Sequence, residues 1–114
     1  MELSRVIIFT GDVKRLVDFY VSHFDLAPVG DFDEGWTELK AGGCKLAFHK
    51  FSEKLDGGDN GIKFVFGTKD VAAEKARLEG LGVQMTKIFT FGEIQMCDGQ
   101  DPDGNRFQIS SRSV

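Results

Sequence analysis

Cysteine is nearly absent from this chain, and the two present, Cys44 and Cys97, lie in strand-like contexts without CxxC spacing. They therefore read as reduced, packed thiols rather than as a disulfide or a metal clamp. A basic stripe is missing as well: the formal charge is −4 and the lysines and arginines are scattered among acids, which excludes a nucleic-acid partner. No apolar run reaches transmembrane length, and Met1-Glu2-Leu3-Ser4 leads directly into a strand pattern without the apolar core of a signal peptide. The expected location is the cytoplasm, with no membrane partner. Histidine occurs only twice, as His23 and His49, which leaves little material for an imidazole-based metal centre.

What is present is enough for one core. A length of 114 residues, 41% of them hydrophobic, suits a single domain over residues 1–114 but not two independent ones. The chain also repeats itself. Arg5-Val6-Ile7-Ile8-Phe9-Thr10 runs into Asp12-Val13, and Lys63-Phe64-Val65-Phe66-Gly67-Thr68 runs into Asp70-Val71, 58 residues later. Each half closes on a Gly-led strand, at Gly43 and at Gly104, and this second offset is 61 residues. Alternation and helical spacing predict strands near 3–9, 26–33, 36–41 and 44–50 around a helix at 12–24, capped by Thr10 or Asp12, whose Val13, Leu16, Val17, Tyr20 and Phe24 form a core face. The second half repeats this order with strands at 62–67, 82–88, 93–98 and 106–111 and a helix at 70–80. The expected organisation is module one at about 1–51, a polar Gly-rich linker at 52–61, and module two at about 62–114.

One turn is the most distinctive local feature. In Asp101-Pro102-Asp103-Gly104-Asn105, Pro102 fixes φ, the Asp103 side chain can cap the turn, and Gly104 tolerates positive φ. Together with Asp12-Val13, Asp18-Phe19-Tyr20, Phe24-Asp25-Leu26, Asp70-Val71 and Leu81-Gly82-Val83, this turn and the duplicated βαβββ order resemble the glyoxalase/bleomycin-resistance/extradiol-dioxygenase superfamily, the vicinal oxygen chelate proteins. The resemblance covers nearly the whole chain. It implies an α+β fold of two βαβββ modules forming curved mixed sheets, with helices on the convex side and a ligand cavity on the concave side. It also implies pairing of modules, hence an expected homodimer.

Metal-using relatives take ligands from the first and last strand of each module. Carried onto this sequence, those positions are Arg5, Ala47, Lys63 and Gln108. Fixed positive charges and an alanine cannot chelate a divalent cation, so no metal and no cofactor are expected. If Arg5 and Lys63 face the cavity that the resemblance implies, strand alternation places Ile7, Phe9 and Val65 there too, with Val6, Ile8, Phe64 and Phe66 under the helices. The same rule groups Trp36, Glu38 and Lys40, and sets Lys45, Ala47 and His49 opposite Leu46 and Phe48. The ligand-binding candidates are Arg5, Trp36, Glu38, His49, Lys63 and Gln108: cations for an anion, the sole indole for stacking. His49 and Glu93 are the candidates for proton transfer, Glu93 sharing a strand face with Gln95 and Cys97. Each has a plainer role, as a strand-end imidazole bonded to the linker or as a counter-charge for Lys63 or Arg106. His23, in the last turn of the first helix, is expected to face solvent.

Two functions follow from this reading. The first is a metal-free protein that binds or sequesters a small molecule, anionic or aromatic. The second is a lyase, isomerase or dioxygenase of the same superfamily using an atypical site, so whether the chain is an enzyme stays open. A third, plainer reading is a scaffold whose cavity is filled by its own phenylalanines, of which there are eleven.

Overall fold

A computed structural model of the chain describes residues 1–51 and 61–112, so most of the expected linker lies outside the described residues. The fold is α+β and made of two compact units, Arg5–Ile62 and Met1–Ser4 with Lys63–Val114. The first unit holds β1 (Glu2–Thr10, from Arg5 onward), α1 (Val13–Phe24), β2 (Ala27–Val29), β3 (Trp36–Ala41) and β4 (Cys44–Lys50). Its strands run in the order β2-β3-β4-β1, with β1 parallel to β4 and the other neighbours antiparallel. The second unit holds β5 (Ile62–Gly67, from Lys63 onward), α2 (Val71–Gly80), β6 (Phe89–Phe91), β7 (Ile94–Gln100) and β8 (Arg106–Ser110). Its order, β5-β8-β7-β6 with β5 parallel to β8, repeats the first.

The two helices start alike because the sequence starts them alike. Asp12 accepts the Arg15 N–H at 3.1 Å and Asp70 accepts the Ala73 N–H at 3.0 Å, each filling an orphan donor of the first turn. Thr10 and Thr68 back them, their hydroxyl oxygens accepting the N–H of Asp12 and of Asp70. α1 ends on Asp25 in the left-handed region, φ 60°, its N–H bonded to the Val21 carbonyl. α2 ends with Gly82 at φ 93° and the Val83 N–H on the Leu78 carbonyl at 3.0 Å, a closure that needs the missing Cβ.

α1 packs Val13 and Val17 on Leu39 and Phe48, with Ile8, Leu16, Tyr20, Val21, Leu26 and Leu46 around them. α2 packs Val71 on Cys97 and Ile109, with Phe66, Leu78, Met85 and Ile88. These cores lie on the strand face opposite Arg5 and Lys63, as alternation requires. Phe24 and Phe64 depart from expectation, being exposed rather than in the core; in all, six of the eleven phenylalanines are exposed. Phe24 stands at the last helical position, where it meets Phe19 and Tyr20 instead of the sheet.

Three strand expectations need correction. The strand predicted over 26–33 stops at Val29, where Gly30 turns the chain and the Asp33 carboxylate takes the N–H groups of Gly35 and Trp36. The strand predicted over 82–88 is not formed. There the Thr86 hydroxyl accepts the Asp98 N–H at 2.9 Å while the Thr86 N–H binds the Asp98 carbonyl at 2.9 Å. A side-chain oxygen thus replaces the backbone acceptor and the ladder does not propagate. The strand predicted to start at 93 begins at Ile94, with Glu93 in the β6–β7 turn.

Candidate functional site

The strand register within each unit decides which side chains meet. In the first unit Arg5 stands beside Lys45, Ile7 beside Ala47 and Phe9 beside His49, while Glu38 faces Ala47 and Trp36 faces His49. In the second, Lys63 stands beside Arg106, Val65 beside Gln108, and Asp98 faces Gln108. The same construction occurs twice. A cation on the first strand reaches across the last strand to a carboxylate on the third, Arg5 to Glu38 and Lys63 to Asp98.

Both ion pairs are sheltered. The Arg5 and Glu38 side chains are 1% and 14% exposed, those of Lys63 and Asp98 11% and 27%. The Lys63 Nζ lies 2.9 Å from Asp98 Oδ2, and the Gln108 Nε2 donates to Asp98 Oδ1 at 3.0 Å, so both carboxylate oxygens are engaged. Ala47 is fully buried between Ile7 and Glu38, and its small side chain gives the Arg5 guanidinium room to cross β4.

Three of the four positions where metal-using relatives were expected to carry ligands make other side-chain bonds. Arg5 and Lys63 hold acids, Ala47 offers no donor atom, and Gln108 turns its amide N–H toward Asp98. A divalent cation there would have to displace two ammonium-type charges, and this donor set does not fit one. Among the described residues no three His, Cys, Asp or Glu side chains cluster as a metal set.

At one end of the first unit's strands, three rings meet: His49 lies 5.4 Å from Phe9 and 5.5 Å from Trp36, centroid to centroid. This corner is set by the Asp33 turn, which fixes where β3 begins, and by the Lys50 N–H bonded to the Gly35 carbonyl at 3.0 Å. His49 is exposed while Trp36 and Phe9 are half-buried, so the corner presents flat apolar surface with one polar edge.

Of the predicted site residues, the structure brings Arg5 and Glu38 into one bond, Trp36 and His49 into one corner, and Lys63 and Gln108 onto one carboxylate. Glu93 joins none of them: it is exposed in a turn, and the counter-charge of Lys63 is Asp98. Asp98 was missed, although it stands 60 residues after Glu38 and on the strand face of Met96. Lys45 and Arg106 were missed as a pair; the offset of 61 that relates Gly43 to Gly104 also relates them. His23 is exposed and stacked on Phe19 at 4.4 Å, away from these groups, as expected.

The turn before β8 is held by Asp101 rather than by Asp103. The Asp101 carboxylate accepts the Asn105 side-chain amide and the N–H groups of Asp103 and Asn105, each at 2.9 Å. Those bonds, the Asn105 side chain first, hold its carboxyl below the usual carboxylate range. Burial pushes the Cys97 thiol up, and neither Cys97 nor Cys44 is in a disulfide.

The described Glyoxalase/Bleomycin resistance protein/Dioxygenase superfamily pattern matches residues 2–109. The chain belongs to that superfamily. Solved structures agree on the fold. Methylmalonyl-CoA epimerase from Streptomyces coelicolor, solved with 2-nitronate-propionyl-CoA, is 19% identical over 100% of this chain and 99% of its own, TM-score 0.77. The Mycobacterium tuberculosis epimerase is 15% identical over 95% and 85%, TM-score 0.69. A superfamily member from Vibrio splendidus 12B01 is 14% identical over 96% and 97%, TM-score 0.70. Among curated proteins none matches. No helix is long and apolar enough, among the described residues, to cross a membrane.

Proposed function

We propose that this superfamily member binds and sequesters a small molecule without a metal, as a cytoplasmic homodimer. The observation that supports the reading is that Arg5, Lys63 and Gln108, three of the four positions expected to carry ligands in metal-using relatives, are engaged in the Arg5–Glu38 and Lys63–Asp98–Gln108 clusters. The expectation that Arg5 and Lys63 serve as cations for an anion is revised accordingly. Arg5 and Lys63 are each matched by an acid, and the cationic excess of the first unit's face comes from the second cation beside Arg5, half-buried Lys45. A ligand would therefore lay its flat part against Trp36 and His49, with an anionic group favoured by that excess.

The competing lyase, isomerase or dioxygenase reading loses Glu93 to an exposed turn and would depend on His49 for proton transfer. Thermal-shift screening of small carboxylates, phosphates and phenolates supplies the ligand, and quenching of Trp36, the sole tryptophan, reports binding. Replacing Trp36 by Leu, with affinity then read from the ligand-induced thermal shift, should weaken a flat ligand roughly three- to tenfold, the value of about 0.5–1.5 kcal/mol for an aromatic contact. Elemental analysis should find no stoichiometric transition metal; one tightly held Ni, Zn, Fe or Mn per chain, lost on mutating Arg5, Ala47, Lys63 or Gln108, would overturn the proposal.

A further inference from the structure

Each unit ends in an edge strand of three residues, β2 in the first and β6 in the second, and the two edges differ. β2 carries Pro28 at its centre, and a proline has no N–H to offer a further strand, so that edge is blunted. β6 carries Thr90 there, between Phe89 and Phe91. Which way the Thr90 backbone points follows from Gln95, its neighbour across the ladder. The Gln95 N–H goes to the Ser111 hydroxyl at 2.9 Å and its carbonyl accepts the Ser111 N–H at 2.9 Å, both on the side away from β6. Thr90 and Gln95 are therefore a non-hydrogen-bonded pair of the antiparallel ladder, and the Thr90 N–H and carbonyl point outward from the sheet. We infer that β6 pairs antiparallel with β6 of a second copy of this chain, about a two-fold axis at Thr90; the inference deepens the homodimer of the proposed function and rests on it.

The strand is complementary to itself. With Thr90 opposite Thr90 of the other copy, their N–H and carbonyl groups exchange two hydrogen bonds, and Phe89 of each chain stands opposite Phe91 of the other. Phe89 and Phe91 share a strand face and are both exposed, so the pairing gathers four rings that otherwise meet water. Next along, Ile88 falls opposite Gly92, which turns β6 into β7 at φ 61° and presents no side chain there. Lys87 of each copy then comes to the turn that carries Glu93 of the other, within reach of two long side chains. Both are exposed, and neither side chain joins an ion pair among the described residues. A strand with a cation before it and an acid after it sets opposite charges together when its copy runs antiparallel, and like charges together when the copy runs parallel. The charges therefore select a second copy and its direction, and they give Glu93 a partner that its own chain does not supply.

The test is the self-association constant of the full chain, measured by sedimentation equilibrium. Thr90→Pro gives this edge the chemistry of β2 and should weaken the dimer roughly ten- to a hundredfold, since both central hydrogen bonds need the Thr90 N–H. Lys87→Glu and Glu93→Lys each set like charges together at both ends of the pairing and should each weaken it roughly three- to tenfold. An equimolar mixture of these two variants should form a heterodimer about as tight as the wild-type dimer, because one copy then carries two acids and the other two cations. Should Thr90→Pro fail to fold, the charge variants decide alone. A mixture no tighter than its two components would overturn the antiparallel register. An association constant unchanged in every variant would overturn the β6 edge and leave a homodimer built on another surface. A wild-type chain that stays monomeric at micromolar concentration would reject the edge and the homodimer together.

Discussion

Replacing Arg5 with Met separates a structural ion pair from one held ready for a ligand. The substitution keeps much of the side-chain volume and leaves the Glu38 carboxylate, 14% exposed, without its cation. Removing one member of a buried pair costs about 3–5 kcal/mol, because the surviving charge stays in a medium that solvates it poorly. An exposed pair such as Lys14–Asp18, with side chains 70% and 63% exposed, contributes only about 0–1 kcal/mol and serves as the control. Against a total stability of about 5–15 kcal/mol, the Arg5→Met loss is a large fraction. Urea unfolding followed by Trp36 fluorescence should show it as a midpoint lower by about 1 M or more, since slopes for small proteins are about 1–3 kcal/mol per M. Glu38→Leu alone should cost a comparable amount by stranding Arg5. The double variant Arg5→Met/Glu38→Leu should recover to within about 1–2 kcal/mol of wild type, since two apolar side chains replace two charges. The double variant decides the question even if each single variant unfolds. A double variant no more stable than either single one, or an Arg5→Met loss as small as that of Lys14→Ala, would refute the view that this cation serves the fold.

The DPDGN turn should make stability depend on acid. The folded Asp101 carboxyl is depressed below its unfolded value, so its contribution is fully present above that unfolded value, near pH 3.9, and is lost as pH falls through the folded one. Asp101→Asn should flatten that limb in thermal melts between pH 5 and pH 2, and an unchanged limb would assign it to other carboxylates. Sedimentation at micromolar concentration should give twice the chain mass, because each module buries one sheet face under a single short helix and leaves the other for a partner module. A stable monomer would reject the dimer.

Several parts of this fold are legible from residues close together in the chain. Asp12 and Asp70 announce helix starts because a cap needs only its own first turn. Alternation in Arg5–Thr10 and Lys63–Gly67 tells the two strand faces apart, because successive side chains must point oppositely. The duplication is likewise a sequence fact, and the resemblance is what sets Arg5, Ala47, Lys63 and Gln108 at the positions expected to carry ligands in metal-using relatives.

Which acid meets which cation was decided by tertiary structure. Glu38 and Asp98 reach Arg5 and Lys63 only through pairings between strands 33 and 35 residues apart, and register across a sheet is set by turns and packing that no local pattern encodes. Glu93 sits only five residues before Asp98 and carries the same charge, yet it falls in a turn. The missing strand at 82–88 has the same origin. Thr86 spends its hydroxyl on Asp98, and that competition between side chain and backbone exists only once β7 lies alongside.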